Sequence, residues 1–381
     1  MPDAVRSWRL VPLVLAITAA LAVVATPGQS AAQASAIVVL STTLDTPVLS
    51  WAVRHLTDTP RVADVRAAGS PATLARPGDG DGPWPAIVFV NGATPLGRRE
   101  PEVQKLARGL ARAGYLILVP DLPGLAAGEL SDRTVAATVA AARWVAARPD
   151  VRGGRVALVG VSLGGTLALL AAEDAAVAGR ISVVAAIAPY TDLKEIVRLA
   201  TTGYYREGNR LIPYATNPYL GLVVARSVTA ALPPSPERDA LLAELERIPD
   251  DSPDPLASLR SSPPALPPEA DPFVALLANR DPRRFDALYA ALPAAVRAEV
   301  ARLSPITRAS RLKAPVELAS SGADKYFPVS QSQALARVAP DARLTVTSAF
   351  AHVVPRPSLG DPGDLRRFNG WVVRSLRDAA R

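Results

Sequence analysis

Arg155-Val156-Ala157-Leu158-Val159-Gly160-Val161-Ser162-Leu163-Gly164-Gly165 passes from an apolar run to a cluster of glycines around one serine. The run to Val159 suits a strand buried on both faces, and Gly164 to Ala172 behind it reads as a helix. Strand, serine-bearing turn and helix in that order are the context of a G-x-S-x-G nucleophile elbow. Such a turn is strained, so the residues two before and two after the serine must lack bulk, and Gly160 and Gly164 meet that need. The turn lifts the Ser162 hydroxyl above the sheet and aims it at a helix N-terminus, whose unpaired amides favour developing negative charge. Outside that context the pentapeptide would be an ordinary Gly/Ser turn.

The same alternation extends on both sides. Strands are expected at Arg61–Ala67 and Ala72–Arg76, around the Gly69-Ser70-Pro71 turn. More follow at Ala86–Val90, Tyr115–Val119, Ile181–Ala188, Pro315–Ser320 and Arg343–Thr347. Helical periodicity appears at Glu102–Ala113, Arg133–Ala147, Gln331–Val338 and Leu365–Ala380. Apolar strands alternating with helices predict an α/β fold with a mostly parallel, doubly wound sheet. The stretch 193–306 breaks the rhythm with helix-like pieces at Lys194–Thr201, Glu237–Arg247, Pro272–Leu277, Arg283–Leu292 and Ala294–Leu303, and its prolines are dense between Pro233 and Pro282. So long a connection inside an α/β domain reads as a helical cap over the site, with Pro249–Pro268 as its mobile part. The expected organisation is core at 61–192, cap at 193–306 and core again at 307–381.

A serine hydroxyl needs a base, and the chain has two histidines. His352 follows the strand Arg343–Thr347, at the carboxyl edge where open α/β sheets bind ligands. His55 precedes the first strand, so His352 is the candidate base. The imidazole needs an orienting acid. Asp324, in Gly322-Ala323-Asp324 after the strand Pro315–Ser320, completes the chain order Ser…Asp…His; Asp192 is the second candidate. The oxyanion needs two donors. One is the Leu163 amide, directly after the serine; the other is expected from Asn91-Gly92-Ala93-Thr94, at Ala93 or alternatively Thr94.

Composition narrows the chemistry further. The 381 residues are 49% apolar, enough for a substantial core. With no cysteine there is no disulfide framework, thiolate zinc site or cysteine nucleophile, and two histidines leave little for a metal site. No cofactor or metal is expected. The net charge is +7, but only four of the 42 basic residues are lysine and the basic residues are scattered, unlike a nucleic-acid surface. Arg6 and Arg9 before the apolar run Leu10–Ala25, then Pro27-Gly28 and Ala32-Gln33-Ala34, read as a signal peptide cleaved near Ala34. A spanning helix needs about 20 apolar residues, and this run is shorter; an uncleaved anchor over 1–34 is the alternative. Either way the folded part is expected outside the cytoplasm. Residues 35–60 are expected to be a lead-in packed on the domain surface.

With the elbow 160–165, Asn91-Gly92-Ala93, Gly322-Ala323-Asp324 and His352, the chain resembles α/β-hydrolase fold serine hydrolases of the dienelactone-hydrolase-like and carboxylesterase-like kind over roughly residues 60–192 and 305–381. Dienelactone hydrolases proper use a cysteine nucleophile, and many relatives carry His-Gly where this chain has Asn91-Gly92. The resemblance implies hydrolysis of carboxylic esters through an acyl-enzyme on Ser162. The cap aromatics Tyr204, Tyr205, Tyr219, Phe273, Phe285 and Tyr289 are candidates to line an acyl pocket. An acyltransferase or thioesterase would use the same residues. A peptidase fits less well, because a large cap restricts access to long chains. A non-catalytic envelope binding protein on the same fold is the remaining alternative.

Overall fold

The computed structural model describes residues 30–43, 47–230, 232, 234–261, 271–352, 354–355 and 362–381. The expected signal segment therefore lies outside the described residues up to residue 29, and the proline-rich stretch does so from 262 to 270. The described residues open with two helices, α1 (Ser30–Thr43) and α2 (Pro47–Leu56), and continue through β1 (Arg61–Ala67), β2 (Ser70–Arg76), β3 (Trp84–Val90), α3 (Pro101–Arg112) and β4 (Leu116–Pro120). Next come α4 (Asp132–Ala146), β5 (Val151–Val161), α5 (Leu163–Ala172) and β6 (Ile181–Ile187). Eight strands form one sheet in the order β1-β2-β4-β3-β5-β6-β9-β10, where β9 is Val316–Ser320 and β10 is Ala342–Val346. Only the β1/β2 and β2/β4 pairs are antiparallel; the rest of the sheet is parallel.

The apolar runs read in the sequence are strands because each has two faces to bury. Along β3, Ala86, Val88 and Val90 enter one core while Ile87 and Phe89 enter the other, the two-residue alternation of a pleated strand. β4 repeats this with Leu116 and Leu118 against Ile117 and Val119. The first core holds α4, α5 and the helices inserted after β6. The second holds α1, α3 and the C-terminal helix α14 (Pro362–Ala379). The resulting architecture is the doubly wound α/β-hydrolase sheet that the sequence led us to expect.

Between β6 and β9 lie α6 (Leu193–Thr202), a β7–β8 hairpin (Tyr204–Glu207, Arg210–Pro213), α7 (Tyr219–Ala230) and α8 (Pro236–Arg247). They are followed by α9 (Ala257–Ser261), α10 (Asp271–Ala278), α11 (Phe285–Ala291), α12 (Ala294–Arg302) and a 3-10 turn at Pro305–Arg311; α13 (Val329–Val338) then connects β9 to β10. The buried Arg198 guanidinium bonds Glu195 and Asp286 and lies 4.2 Å over the Phe285 ring, tying α6 to α11.

Three parts of this arrangement differ from the sequence reading. α7 and the hairpin were not expected; α7 is buried at every position from Leu220 to Thr229, Arg226 included, so no exposed polar face marks a helical period. The lead-in is two helices, with Ala32, Ala36 and Val39 of α1 buried in the second core. α1 is uncharged and mostly small or β-branched, so its amphipathic period is also faint. β5 starts at Val151 rather than Arg155, carried back by its pairing with Trp84.

Candidate active site

β5 runs into the elbow and ends at Val161. Ser162 has φ +55° and ψ −127°, a conformation unfavourable for a residue with a Cβ. The turn is held open by its neighbours. The Ser162 amide donates to the Ile187 carbonyl of β6 at 2.8 Å, and the Ser162 carbonyl accepts from Gly165 and Thr166 as α5 begins. The two flanking glycines are steric requirements. A Cβ on Gly160 would lie 2.2 Å from the Gly164 carbonyl oxygen, and one on Gly164 would lie 2.1 Å from that of Val90.

His352 follows Phe350–Ala351, which form a short strand, β11, and also has a positive φ, +53°. Its Nε2 lies 2.9 Å from Ser162 Oγ, and its Nδ1 lies 2.9 Å from Asp324 Oδ2. The Asp324 side chain is almost wholly buried. Its Oδ1 accepts the amides of Tyr326 at 2.6 Å and Phe327 at 3.0 Å, so turn amides hold one oxygen while the other meets the imidazole. The rings of Tyr326 and Phe327 pack against the His352 ring. The three residues singled out in the sequence thus meet, although 190 positions separate Ser162 from His352.

Leu163 opens α5, where the first amides of a helix have no intrahelical partner, and it borders the same cavity as Ser162, Gly92 and Ala93. A Cβ on Gly92 would meet Ser162 Cβ at 3.3 Å, so glycine lets the loop after β3 come close to the serine. The alternative donor residue, Thr94, turns its hydroxyl to Glu100. Asp192 is not part of the relay. It caps α6, its Oδ1 accepting from the Glu195 amide, and burial raises its pKa. His55 sits exposed at the end of α2 with its Nδ1 on the Trp51 carbonyl.

The cavity at Ser162 has a volume of about 390 Å³. Its walls bring in residues that the sequence did not flag: Asn217 just before α7, Leu220 and Val223 in its first turns, and Lys325, Tyr326 and Phe327 behind Asp324. Of the six aromatics offered for this lining, only Tyr219 takes part. Phe273 and Phe285 are wholly buried within the insertion, Tyr289 stacks on Phe285, and Tyr205 packs edge-on to Tyr214. Tyr204 lies in the hairpin and is absent from the described cavity wall. Packing between inserted helices consumes the other rings. A signal for the missed residues was present in the Tyr326-Phe327 pair, two and three residues past Asp324, which falls within reach of any histidine that the aspartate holds.

Among the described residues, no group of three or more His, Asp or Glu is placed to hold a metal ion. No helix there is long and apolar enough to cross a membrane.

Residues 71–218, from β2 through the elbow to the threshold of α7, match the sequence profile of the X-Pro dipeptidyl-peptidase (S15 family). No curated protein matches the chain. Among solved structures it is similar to the acylaminoacyl peptidase of Pyrococcus horikoshii, with 14% identity and a TM-score of 0.47 over 85% of this chain and 42% of that one. A puromycin-hydrolyzing peptidase of Mycobacterium tuberculosis is 17% identical, with a TM-score of 0.46 over 83% of this chain and 37% of that one. Est1E from Butyrivibrio proteoclasticus is 12% identical, with a TM-score of 0.45 over 84% and 96%. The chain thus spans well under half the length of the two peptidases.

Proposed function

We propose that this chain, a serine hydrolase of the α/β-hydrolase type, cleaves small carboxylic esters through an acyl-enzyme on Ser162. The observation that carries the reading is the relay Ser162 Oγ–His352 Nε2–Asp324 Oδ2, with both distances at 2.9 Å. With Nδ1–H donating to the carboxylate, Nε2 is left as the acceptor for the serine proton. Ser162 attacks the ester carbonyl as His352 takes that proton, and the Leu163 and Ala93 amides stabilise the oxyanion. The imidazolium, stabilised by Asp324, returns the proton to the leaving alcohol. Water activated by the same nitrogen then releases the acid.

The profile match favours a second reading, cleavage of a peptide near its N-terminus. Such a substrate brings an ammonium group, which a site would meet with a carboxylate. Among the described residues, the cavity wall carries Lys325 and no Asp or Glu, which supports the ester. Replacing Ser162 with Ala should abolish both turnover of a short-chain nitrophenyl ester and labelling by a fluorophosphonate. Undiminished turnover in that variant would overturn the assignment. A panel of matched esters and dipeptidyl amides separates the two readings by kcat/KM. The same proposal places the folded part outside the cytoplasm, on the strength of the Arg6/Arg9 and Leu10–Ala25 pattern; fractionation of cells carrying the tagged protein tests it.

A further inference from the structure

The segment leading into α7 is bound to the loop that carries Asp324. The Tyr214 hydroxyl donates to the Asp324 main-chain carbonyl. The Thr216 hydroxyl and the Asn217 amide both donate to the Lys325 carbonyl, at 3.0 and 2.6 Å. Asn217 Nδ2 donates to the Tyr326 hydroxyl at 3.0 Å. Four hydrogen bonds thus leave residues 214–217 and end on three consecutive residues, 324–326. The segment is itself anchored: the Tyr214 amide donates to the Gly203 carbonyl at 2.9 Å, and its ring meets Tyr205 edge-on at 5.9 Å.

We infer that residues 214–217 form a strap that positions the Asp324 carboxylate against His352, with Tyr214 as its main positioning residue. The inference rests on the reading of Asp324 as the orienting acid. The loop's own turn, through the Tyr326 and Phe327 amides, sets where Oδ2 points relative to the loop. The strap sets where the loop sits relative to the sheet. Charge-assisted hydrogen bonds depend steeply on geometry, and a misplacement of about 1 Å far from the chemistry can cost on the order of a hundredfold in rate. The inserted residues would then act on the relay directly, in addition to forming the cavity wall. Tyr214 is not in that wall, so losing its hydroxyl should leave substrate binding alone.

Tyr214→Phe removes the hydroxyl and keeps the ring on Tyr205. Its kcat on a short nitrophenyl ester should fall on the order of tenfold, with KM within about twofold of wild type. Placed on Asp324→Asn, the same substitution should cost less than about twofold, because two changes acting through one group are not additive. Thr216→Val should show the same pattern with a smaller loss, and it decides the matter by the same cycle should Tyr214→Phe not fold. Wild-type kcat in both variants, a loss confined to KM, or full additivity with Asp324→Asn would overturn the inference. The cycle is also read by the rate of fluorophosphonate labelling at Ser162, which needs the relay but no particular ester. A wild-type protein that labels but turns over no ester would therefore unseat the ester reading and still judge the strap.

Discussion

The imidazole of His352 rests against the ring of Tyr326, with centroids 4.4 Å apart and planes inclined by 38°, and Phe327 closes in edge-on at 5.6 Å. Tyr326 and Phe327, two and three residues past Asp324, therefore pack the face and edge of the imidazole that its carboxylate meets. Tyr326→Ala should expose that face to water. An aromatic pair contributes about 0.5–1.5 kcal/mol, so kcat/KM on a neutral ester should fall between about twofold and tenfold. Tyr326→Phe keeps the ring and should retain most of the rate.

Asp324→Asn should leave the fold largely intact and damage the rate. An amide still offers an oxygen to the Tyr326 and Phe327 amides, but its NH2 cannot accept from His352 Nδ1. The imidazole then favours the other tautomer, with its proton on the nitrogen facing Ser162. A fall in kcat on the order of 10⁴ is expected, with a circular-dichroism melt close to that of wild type.

Gly164→Ala and Gly179→Ala should separate sharply in urea denaturation. The first puts a Cβ 2.1 Å from one backbone carbonyl oxygen and 2.4 Å from another, at Val90 and Asn91, which no rotamer relieves. A loss of about 3 kcal/mol or more is expected. The second meets nothing within 4 Å and has no positive φ. It should be neutral or stabilising by about 0.4–1 kcal/mol, through the less flexible unfolded chain.

Glu173 ends α5 with its side chain almost wholly buried, and burial pushes its carboxyl up to about 8. Arg308 Nε lies 3.4 Å from Oε2 but is not aligned to donate to it. A carboxyl whose folded pKa lies above its unfolded value near 4.5 holds more protons when folded. Its contribution is complete below about pH 4 and is lost as pH rises to about 8. Glu173→Gln should remove that slope. Against wild type it should gain on the order of 2 kcal/mol at pH 8 and little at pH 4, read by urea denaturation at both values.

The sheet and the relay were legible because each is written in short local patterns. Ala86–Val90 is one continuous apolar run, and Gly160 and Gly164 bracket Ser162. His352 and Asp324 each follow a strand in the order that the elbow requires. The walls of the cavity were not legible. Leu220 and Val223 lie on a helix that is buried on every side, so no exposed polar face marks its period, and Asn217 acquires its role only when the chain folds back onto Lys325 and Tyr326. Phe273 and Phe285 misled for the converse reason: aromatic content marks burial, and these rings are buried among the inserted helices. α1 was hidden because its partners, α3 and α14, lie far along the chain.

The hydrogen bond from the Ser162 amide to Ile187 has a consequence for how activity is lost. The serine is fastened to the middle of the sheet, between strands that never reach an edge. Fraying of termini or loops cannot release it; only opening of β5 from β6 can, and that dismantles the first core. The Ser162 amide should therefore exchange with deuterium as slowly as the strands around it, and fluorophosphonate labelling across a denaturant series should trace the folded fraction of the whole domain.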